Sequence, residues 1–207
     1  MNPEKPAQAM WDERFRDGAR PYGSEPSLYV KEKVGLIRPG GRVLVPGDGG
    51  GRNGVWLARQ GFQVHVLDYS EEGLRSARQW AEAMGVAIHA EQADVAEWPW
   101  PMNQYDAIVS VYLHLPRVLH AGVFRSMIRA LKPGGLFLVE GFHVDQLAHN
   151  SGGPRDPDLL FSEASARLGL EEAAVLELRR DEVILDESDL HRGSAVLLRL
   201  AATRTSG

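Results

Sequence analysis

Apolar positions recur along this chain with two alternating periods. Residues 7–17 carry a helical spacing, followed by the Gly/Pro loop "DGARPYGSEPS" and a second helical stretch over 28–37. A short apolar run over 42–46, launched by Arg38-Pro39-Gly40-Gly41, predicts a buried strand. Strand and helix patterns then alternate. A helix over 52–60 stops at Gly61, and a strand follows over 62–68. The next helix, 70–84, opens on Ser70 as N-cap with Glu71 and Glu72 in its first turn. Strands over 86–91 and 105–112 flank the loop "DVAEWPWPMNQ". A helix over 116–131 closes on "KPGG", and a fifth strand spans 136–142. This alternation predicts a parallel sheet with helices on both faces and right-handed crossovers.

The C-terminal third breaks the pattern. The loop "HNSGGPRDPD" leads to a predicted helix over 159–168, then to strands over 174–186 and 195–203 joined by a polar connection. That connection has no room for a crossover helix, so the two strands should pair antiparallel. The expected architecture is α/β: a doubly wound, mainly parallel, seven-stranded sheet with an antiparallel C-terminal pair and an N-terminal helical lid. One domain is expected, divided into a lid (1–38), a binding core (39–142) and a C-terminal part (143–207).

Composition narrows the function. The 207 residues are 43% hydrophobic, enough for one good-sized core. Net charge is −5 and the basic residues are scattered, which argues against nucleic acid as the principal partner. There is no cysteine, hence no disulfide framework, thiolate nucleophile or Cys-ligated zinc. The seven His residues form no i, i+4 pair, and no metal site is expected. Neither a signal or transit pattern nor a bilayer-length apolar run is visible, so the expectation is a cytoplasmic protein, monomer or homodimer, without membrane association.

The densest chemistry lies in "VLVPGDGGGRNG", residues 43–54, where a strand runs through a glycine turn into a helix N-terminus. Backbone N–H groups there can meet a polar ligand. A triphosphate-binding loop is excluded, because it needs Gly-Lys-Ser/Thr and no Lys lies between Lys33 and Lys132. Two readings stay open. Gly49, Gly51 and Gly54 spell the dinucleotide fingerprint, with Asp68 at about the expected ~20-residue distance. Gly47, Gly49 and Gly51 spell G-x-G-x-G directly at the strand end, which suits the amino-acid part of S-adenosylmethionine. Asp68 ends the second strand, where a carboxylate can accept from a ribose diol. Asp94 follows the third, placed to accept from an adenine amino group.

The order G-x-G-x-G, Asp68, Asp94, "YDAIVS" and "LKPGG" resembles the class I S-adenosylmethionine-dependent methyltransferases over about residues 40–142. The flanks "WDERF", "YGSEPS", "GRNGVWLARQGFQVHVLDYS", "HLP" and "GGPRDPDLL" look like the tellurite-resistance and thiopurine-type branch. The resemblance implies S-adenosylmethionine as cofactor, S-adenosylhomocysteine as product, and a small-molecule methyl acceptor such as a thiol or chalcogen oxyanion. It places Gly47, Gly49 and Gly51 under the methionine moiety, with Asp48, Arg52 and Asn53 beside it. Asp68 and Tyr69 fall at the ribose, Asp94 and Val95 at the adenine, and Ser110 and Val111 at the fourth strand end. Trp11 and Tyr22 fall on the covering segment. Where that family has an acid in the first strand, this chain has Val45, and Asp48 in the turn is the nearest substitute.

Each assignment has a structural alternative. Asp68 can cap the following helix and Asp94 can organise the turn before "WPWP". Asp106 suits the start of its strand; Trp98 and Trp100 suit packing. For a neutral acceptor, His114 and Tyr112 are the candidate bases, and a buried structural His is the plain reading of the former. Arg155, His191 and Arg192 are candidates for holding an oxyanion. Two other functions compete: a nicotinamide-dependent oxidoreductase, which lacks a Tyr-x-x-x-Lys after the fourth strand, and a non-catalytic cofactor-binding protein.

Overall fold

The sheet is built on a central strand that has no polar face. In a computed structural model, which describes residues 6–206 with side chains from residue 8, strand β1 (Arg42–Pro46) is buried from Val43 onward. It lies between β2 (Gln63–Asp68) and β4 (Tyr105–Val111), both parallel to it. Strands covered on both faces need apolar residues at successive positions, and "RVLVP", "QVHVLD" and "YDAIVSV" provide them. β3 (Ile88–Gln92) adds to β2 and β5 (Leu131–Phe142) to β4, again parallel. β6 (Ala173–Ser188) and β7 (His191–Arg204) form a hairpin whose β7 pairs antiparallel with β5. The order is β3-β2-β1-β4-β5-β7-β6, with the sequence direction reversing beside β1. At such a switch point the connections leave in opposite directions and open a crevice at the strands' C-terminal ends.

Two apolar layers close on the sheet. On one face Leu44, Leu67, Ile108 and Phe137 pack with Phe124, Met127 and Ile128 of α5 (Arg117–Ala130). On the other, Val43, Val45, Val66 and Val109 pack with Tyr29 and Val30 of α2 (Leu28–Lys33) and Leu57 of α3 (Arg52–Arg59). Leu74 of α4 (Glu71–Ala83) joins the same layer. Ser70 caps α4 as its position predicts, accepting from the Gly73 amide at 3.0 Å. Asp106 accepts from the Arg42 amide and pairs with Lys132, both at 2.8 Å, and so ties strand starts together.

The predicted helix over 159–168 is corrected to a 3₁₀ turn, Pro157–Leu159, and a single turn α6, Glu163–Ala166. Between them Leu160 and Phe161 are extended and buried, Phe161 bridging to His143. Ser162 restarts the helix with a capping box, which is why an apolar run continuous in sequence is two elements in space. The β6–β7 hairpin also pairs through the polar connection to a turn at Asp189 and Leu190, so both strands exceed their predicted lengths.

A buried ion pair anchors β7 to the core. Glu140 on β5 accepts from Arg199 Nε at 2.7 Å and from Ser27 Oγ at 2.6 Å, and Arg199 also reaches Asp181 at 2.9 Å. Removing one partner leaves the other charge buried and uncompensated. Glu140→Ala should therefore destabilise the fold by about 3 kcal/mol, near the lower end for a broken buried pair because Asp181 stays with Arg199. Urea unfolding would measure it, and a loss below about 1 kcal/mol would show that the pair is not stabilising.

Candidate functional site

A tight turn between strand and helix leaves several amides without helical partners. Two buried carboxylates receive them. Asp48 sits inside the turn, and its two oxygens accept from the amides of Asn53 (3.1 Å) and Gly54 (2.7 Å), the first turn of α3. The Asn53 side-chain amide donates to the same carboxylate at 3.1 Å, while its oxygen accepts from the Ser27 amide at 3.0 Å. Asp68, at the end of β2, accepts from Gly49 N (2.7 Å) and Ser70 N (2.8 Å), which clamps the turn against α4. Burial pushes Asp48 up to about 7 and Asp68 up to about 6, against the opposing pull of these amides. The Tyr69 amide also donates to this carboxylate, which with roughly four acceptor sites still has capacity left.

Gly49 and Gly51 both have left-handed backbones, φ +54° and +86°, but for different neighbours. A Cβ on Gly49 would stand 2.3 Å from the Phe15 ring, and one on Gly51 2.8 Å from Ala77 of α4. Gly51 therefore serves close approach of the turn to α4 and does not line the cavity, which corrects its expected place beneath the methionine moiety. Ser110 is likewise buried away from the cavity.

The cavity, about 300 Å³, lies over the switch point, and the strand-end loops converge on it. Its floor holds Gly47, Asp48, Gly49, Arg52 and Asn53. One wall brings Asp68 and Tyr69, the next Asp94 and Val95, the third Val111, Tyr112 and His114. Asp94 also makes its turn, accepting from the Ala96 amide at 3.0 Å. Trp98 donates to Glu91 (2.8 Å) and Trp100 to the Val95 carbonyl (2.9 Å), both outside the cavity. Of the three oxyanion candidates His191 lines it, whereas Arg155 and Arg192 do not.

The N-terminal segment lines the cavity as well. α1 (Pro6–Phe15) docks on α4 through Asp12, which accepts from Ser70 Oγ at 2.6 Å. Phe15, Trp11 and Tyr22 form a ring cluster with centroids 6.2–6.3 Å apart, and Tyr22 continues to His191 at 5.0 Å. Arg52 binds this segment to the hairpin, donating to the Tyr22 carbonyl (3.0 Å) and to Glu187 (3.1 Å). Sequence reasoning missed Phe15, Arg20, Leu113 and Leu115 of the lining. Phe15 carried only the apolar spacing of a helix, while Leu113 and Leu115 flank His114 in the "HLP" segment.

Three buried polar atoms among the cavity residues have no hydrogen-bond partner: Arg52 Nη2, Tyr112 Oη and His114 Nε2. Tyr112 has φ +52°, an uncommon backbone for a bulky residue and one that concentrates at functional sites. Burial, reinforced by Glu140 and Glu187, holds its phenol well above the usual range. Burial, with a contribution from His191, brings His114 down to about 4, leaving a neutral imidazole.

A glycine turn on a 3-2-1-4-5-7-6 sheet whose strand 7 alone of the inner strands runs antiparallel defines the class I methyltransferase fold. Residues 43–135 match the family model described as "Methyltransferase domain". A ubiquinone/menaquinone biosynthesis C-methyltransferase of Ectopseudomonas mendocina is 35% identical over 112 residues, 51% of this chain and 43% of that protein. Phosphoethanolamine N-methyltransferase 1 of Arabidopsis thaliana is 30% identical over 145 residues, 68% of this chain and 27% of that protein. The chain thus spans less than half the length of these curated relatives. Among solved structures, TehB from Haemophilus influenzae superposes with TM-score 0.71 at 21% identity, covering 87% of this chain and 63% of that one. The [4+2]-cyclase SpnF superposes with TM-score 0.68 at 15% identity, covering 97% and 96%.

The site predicts its own coupling. Gly49→Ala should cost about 1–2 kcal/mol from the left-handed backbone alone, plus the displacement of Phe15. Phe15→Ala in the same chain should recover the second part, giving a non-additive double-mutant cycle in urea unfolding. Strict additivity would show that Phe15 and Gly49 do not pack as described.

Proposed function

We propose that this domain transfers the methyl group of S-adenosylmethionine to a small oxygen-, sulfur- or chalcogen-bearing acceptor. The observation that carries this reading is the convergence of the glycine turn, Asp68 and the 94–95 loop on one cavity with Arg52, Tyr112 and His114 opposite. In this reading Gly47, Gly49 and Asn53 flank the methionine moiety, Asp68 uses its remaining lone pairs on the ribose hydroxyls, and Asp94 and Val95 border the adenine. Val45 leaves the first strand without an acid. Asp48 is bonded to α3 instead, so its service is to shape the turn. The cofactor brings a carbon already activated by the sulfonium. The protein's part is to hold the acceptor in line, a positioning effect of up to about 7–11 kcal/mol.

Arg52 and Tyr112 offer donors to an acceptor oxygen or anion. Neutral His114 offers a lone pair to an acceptor proton. As the new bond to carbon forms, that proton becomes strongly acidic, so a weak base suffices to take it. Within the 1–38 segment, the described residues from 6 onward act as a cover, with Trp11, Phe15 and Tyr22 shielding the sulfonium from water. A thiol or chalcogen oxyanion is the favoured acceptor, supported by the "WDERF" and "GRNG" segments and the likeness to TehB. The SpnF likeness supports a second reading, in which the same fold binds the cofactor without methyl transfer.

Calorimetry should find one equivalent of S-adenosylhomocysteine bound per chain and no NAD. Trp11→Ala should weaken that binding by about 0.5–1.5 kcal/mol, the worth of a lost aromatic contact. NAD binding in place of S-adenosylhomocysteine would reverse the assignment, and unchanged affinity in Trp11→Ala would remove the cover.

For a protic acceptor, His114→Gln should lower kcat by 10²–10⁴-fold, the range for a lost general base, with S-adenosylhomocysteine affinity retained. Equal turnover by the variant would assign His114 to packing.

A further inference from the structure

A second constellation lies outside the cavity, on one face of the β2–β3 edge. In the parallel register His65 on β2 stands beside His89 on β3, and Glu91, two residues along β3, points to the same face. One ligand atom from each of the three lies within 4.8 Å of the others. His65 Nε2 is 3.2 Å from Glu91 Oε2, and His89 Nε2 is 3.8 Å from the same oxygen. A tetrahedral ion bound at about 2.0–2.1 Å separates its ligand atoms by about 3.3 Å, so these spacings need only small adjustments.

Two neighbours orient the set. His65 is 5% exposed, and its Nδ1 meets the Tyr105 hydroxyl at 2.8 Å. With the proton on Nδ1, the Nε2 lone pair faces Glu91, and that buried atom has no hydrogen-bond partner. Glu91 Oε1 accepts from the Trp98 indole at 2.8 Å, which leaves Oε2 turned toward both imidazoles. A hydrogen bond on the far nitrogen of a His and on the second oxygen of a carboxylate is how metal ligands are held in orientation. The half-exposed Glu91 and largely exposed His89 leave an approach from solvent.

We propose that His65, His89 and Glu91 bind one divalent cation of the zinc class, with water completing its coordination. Two imidazoles and one carboxylate suit Zn²⁺ and exclude the all-oxygen preference of Ca²⁺ and Mg²⁺. The ion would bridge β2 to the edge strand β3, whose end leads into the 93–96 wall of the cavity. It would thus fasten the β3 edge of the sheet to β2. Arg42, stacked at 5.2 Å on the Tyr105 ring, adds a like charge nearby and sets a limit on affinity. No i, i+4 His spacing marks this set along the chain, because its members are brought together by adjacent strands.

The test is titration of ZnCl₂ into the metal-free, untagged full chain, followed by calorimetry and thermal unfolding. The expected result is one saturable equivalent with a higher melting temperature when loaded, since an ion bound to the folded form stabilises it. His89→Ala, at an exposed position, and Glu91→Gln should each weaken that binding by at least tenfold. His149→Ala, remote from the cluster, should not change it. X-ray absorption of the loaded protein should show two imidazoles among nitrogen and oxygen ligands. No saturable binding, or binding unaltered by His89→Ala, would overturn the proposal.

Discussion

Everything in the cavity depends on where the amides of one glycine turn find acceptors. A chain leaving a buried strand and entering a buried helix within a few residues exposes donors that water cannot reach. Asp48 takes the amides of Asn53 and Gly54, Asp68 takes that of Gly49, and the Leu67 carbonyl takes that of Gly47 at 2.7 Å. Both carboxylates are buried, an arrangement that is stable only because their oxygens are occupied. The ligand-facing surface is therefore a by-product of a closed hydrogen-bond account. The same bonds that fold the turn also aim it.

From that turn the polar contacts run outward through the molecule. Asn53 joins Asp48 to the Ser27 amide, and the Ser27 hydroxyl meets Glu140, which holds Arg199. Arg52, next in sequence, ties the Tyr22 loop to Glu187 on the hairpin. The antiparallel β6–β7 pair, which departs most from the parallel plan, is thus joined to the glycine turn by two routes. Residues of the N-terminal segment and His191 of the hairpin meet at one cavity.

Much of this was legible in the sequence because it rests on local periods. The strand–helix alternation, the Ser70 cap and the order Gly turn, Asp68, Asp94 are short-range patterns, and the sheet follows from them. The misreadings share a different cause. Leu159, Leu160 and Phe161 look helical as a run, yet Pro157 and the Ser162 capping box split them. Gly51 fits the ligand motif by spacing but is small because Ala77 lies against it. Phe15 on Gly49, and His65 beside His89, are contacts between distant segments or neighbouring strands, and no spacing along the chain encodes them. The burial of Tyr112, which holds its phenol above the usual range, is likewise not encoded by spacing.

The central claim is that the strand-end loops at the switch point form one cofactor site. Hydrogen–deuterium exchange with and without S-adenosylhomocysteine tests it most directly. The account predicts new protection in residues 47–54, 68–69, 93–96 and 111–115 together, with β6 and the far end of α5 unchanged. Protection absent from these loops, or confined to a different surface, would contradict it.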